Sequence, residues 1–232
     1  MKFSPSPNFD NRAFGVALDY IVLHYTGMND AASAQARLCD PAARVSAHYL
    51  IEENGDLTQL VDETRRAWHA GQSFWRGATD LNSASIGIEL INPGHEFGYR
   101  PFPEPQLEAL KKLLREIIAR HHMNPATALL AHSDIAPTRK QDPGELFPWQ
   151  DLAQEGFGLW PAPLPSDYAP ADAQEIDALL AFIGYDTTSP QDSLRAFQRR
   201  YRPKNLAGIS DNETTAILRA LKRFIVTNCA FS

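Results

Sequence analysis

The sequence predicts an α/β fold with a mixed central sheet flanked by helices, followed by a small three-helix C-terminal domain. Apolar strand patterns alternate with helical patterns over residues 1–160, which is typical of an α/β domain. Prolines then cluster at 161–170, and only helical patterns follow. These observations divide the chain into a domain at 1–160, a semi-rigid proline-rich linker at 161–171 and a helical domain at 172–232.

The elements of the first domain follow from hydrophobic periodicity. Asn54-Gly55 lies between two alternating runs, which indicates a β-hairpin. Leucine and isoleucine recur at helical spacing after Pro105, which indicates an amphipathic helix that ends at His121-His122. The expected elements are strands at 20–25, 47–52, 57–61, 85–91 and 128–131, and helices at 30–39 and from 105 to about 121.

Three short helical patterns make up the C-terminal domain. The first covers 172–183 and is closed by Gly184, and the second starts at Ser189-Pro190. The third starts with a capping box from Ser210 to Glu213. A three-helix unit of this size fits a small binding module, and an appendage that only stabilises the first domain is the alternative.

The composition excludes several classes of protein. The chain has 232 residues, a formal net charge of -6 and 44% hydrophobic residues, which is enough for a core and for two domains. The acidity argues against a nucleic acid partner, and no apolar run approaches the roughly 20 residues of a membrane span. Cys39 and Cys229 lie in different predicted domains, which argues against a disulfide framework. The sequence leaves the oligomeric state open, and we expect a monomer.

The N-terminal residues are polar and interrupted by prolines. They contain no signal-peptide core and no lipidation cysteine. We therefore expect a cytoplasmic location for the chain as it stands. A periplasmic location is the alternative if a targeting segment precedes the given sequence.

Three side chains have the chemistry and placement of metal ligands. His24 ends the apolar run 21–23, His132 follows the run 128–131, and Asp142 lies in a loop braced by Pro143-Gly144. Imidazole and carboxylate groups bind zinc, and three protein ligands leave a fourth position open, as in catalytic zinc sites. The alternative is that both histidines are hydrogen-bonded within the core and that Asp142 forms a turn.

Glu89 lies in an otherwise apolar strand pattern. Ile86, Ile88 and Leu90 share one face, whereas Gly87 and Glu89 share the other. Burying an unpaired carboxylate is costly. A carboxylate beside a metal can take a proton from water and hand it to a leaving amine, which would justify that cost. A buried ion pair with an arginine is the alternative.

Other hydrolytic mechanisms have less support. The chain contains no Gly-x-Ser-x-Gly sequence of a serine hydrolase. Cys39 lies at the end of an alanine-rich helical pattern, which is a poor setting for a nucleophile. Metal-dependent hydrolysis is therefore the hypothesis that the residues favour.

Several separated segments, in this order, resemble the zinc-dependent N-acetylmuramoyl-L-alanine amidases of the AmpD and AmiD type. This family is related to phage lysozyme amidases and to peptidoglycan recognition proteins. The resemblance covers about the first two-thirds of the chain. The segments are Val22-Leu23-His24-Tyr25-Thr26, residues 44–51, Ala67-Trp68-His69-Ala70-Gly71, residues 82–89, and His132-Ser133-Asp134-Ile135-Ala136-Pro137 with Lys140 and Asp142.

The resemblance assigns roles to these residues. It implies that His24, His132 and Asp142 bind Zn²⁺, that Glu89 is the general base and that Lys140 stabilises the transition state. The expected reaction is hydrolysis of the amide bond between N-acetylmuramic acid and L-alanine in peptidoglycan or muropeptides. A non-catalytic peptidoglycan recognition protein is the alternative, which the presence of all three ligands and of the glutamate disfavours.

The resemblance also suggests substrate contacts. It implies that Arg44 binds a stem-peptide carboxylate and that His69 lines the cleft as a substrate or ligand-supporting residue. The chain departs from cytosolic family members near Asp80, where a second arginine is expected, so the stem-peptide specificity stays open. Residues 194–201 resemble a helix of peptidoglycan-binding domains. Whether the substrate is a 1,6-anhydro recycling fragment or the intact polymer also stays open.

Overall fold

The protein is described by a computed structural model that covers residues 1–229, with side-chain surroundings described up to residue 227. The last three residues of the predicted C-terminal domain and the side chain of Cys229 lie outside this part. The strands are β1 (Lys2–Phe3), β2 (Phe9–Asn11), β3 (Tyr20–Tyr25), β4 (Tyr49–Ile51), β5 (Leu57–Gln59), β6 (Arg65–Ala67), β7 (Ser85–Leu90) and β8 (Leu129–Ala131). The helices are α1 (Ala31–Cys39), α2 (Leu81–Ala84), α3 (Gly94–Phe97), α4 (Glu104–His121), α5 (His132–Ile135), α6 (Trp149–Gln154), α7 (Ala173–Ile183), α8 (Pro190–Tyr201) and α9 (Asn212–Cys229).

Six strands form the central sheet, in the order β1-β5-β4-β7-β3-β8. The neighbours β4-β7, β7-β3 and β3-β8 are parallel, whereas β4 and β5 form the antiparallel hairpin that Asn54-Gly55 predicted. The predicted mixed α/β sheet and the helices that flank it are confirmed. β2 and β6 form a separate two-stranded antiparallel sheet that periodicity did not reveal, because strands of three residues carry almost no pattern.

One local prediction needs correction. Asp211, rather than Ser210, caps α9, because its carboxylate accepts the backbone N–H of Thr214 at 2.8 Å. His132 directly follows β8, as predicted, and it also begins the four-residue helix α5. The turn at its start lets the imidazole leave the sheet edge instead of continuing along the strand.

The two faces of the sheet pack against different helices. Ile21 and Leu23 of β3 share one core with α4, to which Leu110, Leu114 and Ile117 contribute. On the opposite face, α1 covers the region around Leu50. Further along that face, a second core joins Val22 and Leu130 to the C-terminal helices. His24 lies two residues after Val22 and therefore shares its face.

The C-terminal helices pack directly onto the sheet. They contribute Ile176, Leu180, Leu194, Phe197 and Leu221 to the core that contains Val22 and Leu130. The division into two domains stays a prediction, and the apolar side chains of both parts lie in one cluster. The proline-rich segment is also fixed, because the carboxylate of Asp167 accepts hydrogen bonds from Arg223.

A buried ion pair joins α8 to α5. The carboxylate of Asp134, which is fully buried, accepts hydrogen bonds from Arg200 at 2.8 Å, the Tyr185 hydroxyl at 2.6 Å and the Ala131 N–H at 3.0 Å. The Arg200 guanidinium also lies 4.0 Å from the ring centroid of Trp149. This network ties the helix that carries His132 to the C-terminal part of the chain.

Replacing Arg200 by methionine should destabilise the protein by about 3–5 kcal/mol, because the substitution leaves Asp134 buried without its cation. The matched control is Arg195→Met on the same helix, whose partner is the neighbouring Asp192 near the surface. The control should change the free energy of unfolding by about 0.5 kcal/mol or less. Urea unfolding measures both variants, and equal small losses would contradict the proposed importance of the buried pair.

Candidate active site

Strand register places His24 beside Glu89. The two residues are partners across the parallel pair β3-β7, near the carboxyl ends of both strands. β8 lies on the other side of β3 and pairs Ala131 with Leu23, so His132 follows at the same edge. The sheet therefore brings the two histidines and the glutamate together from three distant segments.

His24, His132 and Asp142 converge as the sequence predicted. The Nδ1 atoms of the two histidines lie 2.9 Å apart, and Asp142 Oδ2 lies 3.0 Å from His24 Nδ1 and 2.9 Å from His132 Nδ1. All three residues are buried. This group could hold a metal ion.

The protonation states and charges of the three candidate ligands are compatible with binding a cation. His132 Nε2 lies 3.1 Å from the carbonyl oxygen of Ala70, which can only accept, so a neutral His132 turns the lone pair of Nδ1 towards the cluster. Burial and the neighbouring His132 lower the pKa of His24 to about 4. Burial alone would raise the pKa of Asp142, but the two histidines beside it hold that pKa well below its usual range. Two imidazole nitrogens and one carboxylate oxygen thus face a common point.

The loop that carries Asp142 is held from two sides. The carbonyl oxygen of Asp142 accepts the N–H of Ser133 at 2.9 Å, which ties the loop to α5. The Tyr99 hydroxyl donates to the Pro143 carbonyl oxygen at 2.8 Å and accepts the Leu146 N–H at 2.9 Å. Gly144 has a φ of 89°, and a Cβ there would overlap the Tyr99 hydroxyl. These contacts position the carboxylate without using its own oxygens.

Glu89 faces the same cleft with one unpaired oxygen. Its Oε2 atom is buried and has no hydrogen-bond partner. Burial, together with the neighbouring Asp142, raises the pKa of Glu89 to about 8. The predicted alternative, an ion pair with an arginine, is absent from the described part of the chain. A cation bound at the neighbouring ligands would lower this pKa and favour the carboxylate form.

Arg139 and Lys140 have different roles. The Arg139 guanidinium donates to the backbone carbonyl oxygens of Ala70, at 2.6 Å, and of Gln72. Lys140 lines the cleft that contains Glu89 and the three candidate ligands. Arg139 thus supports the backbone, whereas Lys140 borders the site.

A cleft of about 350 Å³ lies in front of the ligand group. Residues 93–97 form one wall, and the side chain of Phe97 is 56% exposed there. Trp68 and His69 lie on another side. The cleft therefore combines apolar rings with the candidate metal ligands.

Other predicted residues occupy different places. Arg44 is exposed on a loop and does not belong to the cleft lining, so its assigned role stays a prediction. Asp80 forms an ion pair with Arg66 at 2.9 Å. His48 hydrogen-bonds within the fold, since its Nδ1 accepts the Gly87 N–H at 2.9 Å.

Sequence reasoning missed Arg37. This residue lies in the last turn of α1 and lines the cleft with an exposed side chain. Its pattern in the sequence is that of an ordinary basic residue near a helix C-terminus. Only the packing of α1 beside the sheet reveals its position.

A buried group of two histidines and one carboxylate, beside an unpaired glutamate, is typical of a metal-dependent hydrolase. Comparison with known proteins agrees. The profile of the N-acetylmuramoyl-L-alanine amidase family matches residues 14–145. The chain belongs to this family.

Individual relatives extend the match. N-acetylmuramoyl-L-alanine amidase AmiD of Escherichia coli (strain K12) is 44% identical over 227 residues, covering 87% of this chain and 81% of that protein. The structure of E. coli AmiD with the substrate anhydro-N-acetylmuramic acid-L-Ala-D-γ-Glu-L-Lys has a TM-score of 0.80 at 40% identity, covering 92% and 93% of the two chains. AmpDh3 of Pseudomonas aeruginosa, solved with anhydromuramic pentapeptide, has a TM-score of 0.79 at 32% identity, covering 95% and 98%. The similarity thus continues into the C-terminal helices.

His132→Ala should abolish stoichiometric metal binding, because only His24 and Asp142 of the three ligands remain. His122→Asn is the matched control, since His122 is exposed and lies in a left-handed conformation that asparagine tolerates. Metal content after equilibration with Zn²⁺ measures the effect. Full occupancy in His132→Ala would refute the assignment of the ligands.

Proposed function

We propose that the protein is a zinc-dependent amidase that hydrolyses the bond between the lactyl group of N-acetylmuramic acid and L-alanine in muropeptides. One observation carries the mechanism: Glu89, which has a buried and unpaired oxygen, lies beside His24 in the sheet and lines the same cleft as the three candidate ligands. Membership of the amidase family supports the bond that is cleaved.

The donor set supports zinc as the metal. Two imidazole nitrogens and one carboxylate oxygen are ligands that zinc accepts, and three protein ligands match the number in catalytic sites. When bound, zinc supplies a Lewis acid that polarises a carbonyl group and lowers the pKa of water from about 15.7 towards about 7.

The protein's own groups supply the proton transfers and the charge stabilisation. Glu89 accepts a proton from the attacking water and passes it to the amine of L-alanine as that amine leaves. The ammonium group of Lys140 stabilises the negative charge that develops on the carbonyl oxygen of the substrate. Both side chains line the cleft that would receive the amide.

A non-catalytic recognition protein would need only the cleft. Such a protein has no use for a buried carboxylate beside the ligand group, and an unpaired buried oxygen is costly to keep. All three ligands are present and converge, together with Glu89. These features favour the enzyme.

Glu89→Gln should separate binding from chemistry. The amide keeps the size of the side chain but cannot accept the proton, so kcat should fall by about 10²–10⁴-fold while zinc and muropeptide still bind. The control is Glu96→Gln, because Glu96 lines the same cleft but is exposed. Turnover and equilibrium binding of a muropeptide measure the two steps, and near-normal turnover in Glu89→Gln would eliminate this residue as the base.

Small muropeptides are the proposed substrate class. The similar amidases AmiD and AmpDh3 were solved with anhydro-muramyl peptides, which supports the same class for this chain. The exposed ring of Phe97 provides an apolar surface for a sugar ring or a peptide. Activity on the intact polymer is the alternative that a direct comparison of the two substrates tests.

The stem peptide ends in a carboxylate, which an arginine in the cleft can bind. Arg37 lines the cleft, whereas Arg44 does not. We therefore place the carboxylate contact at Arg37, although the family resemblance suggested Arg44.

Arg37→Met should raise KM for muropeptides by about 10-fold, the effect of losing one charged hydrogen bond. Arg44→Met is the matched comparison and should leave KM unchanged. The increase in KM should disappear with a substrate whose stem carboxylates are amidated. A KM effect in Arg44→Met and none in Arg37→Met would reverse the assignment.

The C-terminal helices are proposed to stabilise the catalytic part. The helix that resembles peptidoglycan-binding domains buries Leu194, Phe197, Gln198 and Tyr201 inside the protein. These side chains are therefore occupied by packing and are not available to the cell wall. A wall contact by these helices would have to use other residues.

A further inference from the structure

The two-residue segment His69-Ala70 contacts both histidine ligands from outside the group formed by His24, His132 and Asp142. His69 Nδ1 lies 3.1 Å from His24 Nε2, and the Ala70 carbonyl oxygen lies 3.1 Å from His132 Nε2. In each ligand, the contacted nitrogen is the one that faces away from the cluster. One short segment thus contacts the Nε2 atom of both imidazoles.

The segment itself is anchored. The side-chain oxygen of Asn82 accepts the N–H of His69 at 3.0 Å and that of Ala70 at 2.8 Å. Gly87 of β7 leaves the space for the His69 ring, because a Cβ at this position would overlap the ring. His69 and Asn82 are both buried. The surroundings therefore determine where His69 can lie.

A chain of hydrogen bonds determines the direction of each proton. The Ser85 hydroxyl donates to the Leu81 carbonyl oxygen, so its oxygen is left to accept from His69 Nε2, which lies 3.4 Å away. His69 Nδ1 is then the acceptor, and the proton of His24 lies on Nε2. The Ala70 carbonyl oxygen places the proton of His132 on Nε2 in the same way. Both ligands consequently direct an Nδ1 lone pair to the common point.

We propose that His69 and Ala70, anchored by Asn82, form the positioning element that sets the tautomer and the ring orientation of both histidine ligands. The inference rests on the proposed metal site and goes beyond it, because it gives His69 a role that needs no contact with the substrate. Groups that hold the outer nitrogen of a metal-bound histidine typically change metal affinity by about 10–100-fold when they are removed.

Two substitutions of His69 test the role of its acceptor nitrogen. His69→Leu removes the acceptor, and zinc affinity should fall by about 10–100-fold. His69→Asn keeps an acceptor oxygen near the position of Nδ1, so its zinc affinity should stay within a few-fold of the unmodified protein. Competition with a chromophoric chelator measures the zinc affinity, and thermal melting of the metal-free proteins reports any general loss of stability.

The outcomes separate the possible roles. Weakened zinc binding in His69→Leu and its recovery in His69→Asn support the proposal. Unchanged zinc affinity with a raised KM would overturn it and make His69 a substrate contact. Zinc affinity that falls only in step with the melting temperature of the metal-free protein would also overturn it. Failure of the unmodified protein to bind zinc would instead refute the proposed function.

The unmodified protein offers a test that does not depend on the folding of a variant. In the zinc-bound protein, long-range ¹H–¹⁵N NMR of the imidazole rings should show protons on Nε2 of His24, His132 and His69. A proton on Nδ1 of His69 would overturn the proposal, since this nitrogen could no longer accept from His24.

Discussion

The pairing of β3 with β7 is the constraint on which the rest of the site depends. It places His24 beside Glu89, while β8 on the other side of β3 delivers His132. A shift of one residue in either strand would turn the ligand or the glutamate towards the core under α4. The apolar residues that alternate with them, such as Leu23 and Ile88, prevent that shift because they fill the core.

The same register explains why the C-terminal helices matter to the site. Val22 shares the face of His24 and packs against these helices. Asp134 makes no catalytic contact of its own. Its ion pair with Arg200, however, connects the helix that begins with His132 to helix α8, which is distant in the sequence. On the other side, Tyr99 holds the loop of Asp142. Each candidate ligand is therefore fixed by packing or hydrogen bonds that do not involve the metal.

The sequence was informative where chemistry follows directly from local pattern. The end of an apolar run placed His24, and alternation along one strand placed Glu89 opposite the apolar face. It was uninformative about contacts between distant segments, so the cleft position of Arg37 and the contact between His69 and His24 required the structure. The pattern of an amphipathic helix likewise predicts a buried face but does not identify the element that packs against it. This is why the sequence did not show that the C-terminal helices share a core with the sheet.

Product analysis combined with metal analysis tests the central claim most directly. The protein, with and without a chelator, is incubated with an anhydro-muramyl peptide, and the products are separated and identified by mass spectrometry. The account predicts about one zinc ion per chain, cleavage only at the lactyl–L-alanine amide with a new L-alanine amino terminus, and no cleavage after zinc removal. Cleavage at an unchanged rate by the metal-free protein, or intact substrate with the zinc-loaded protein, would contradict it.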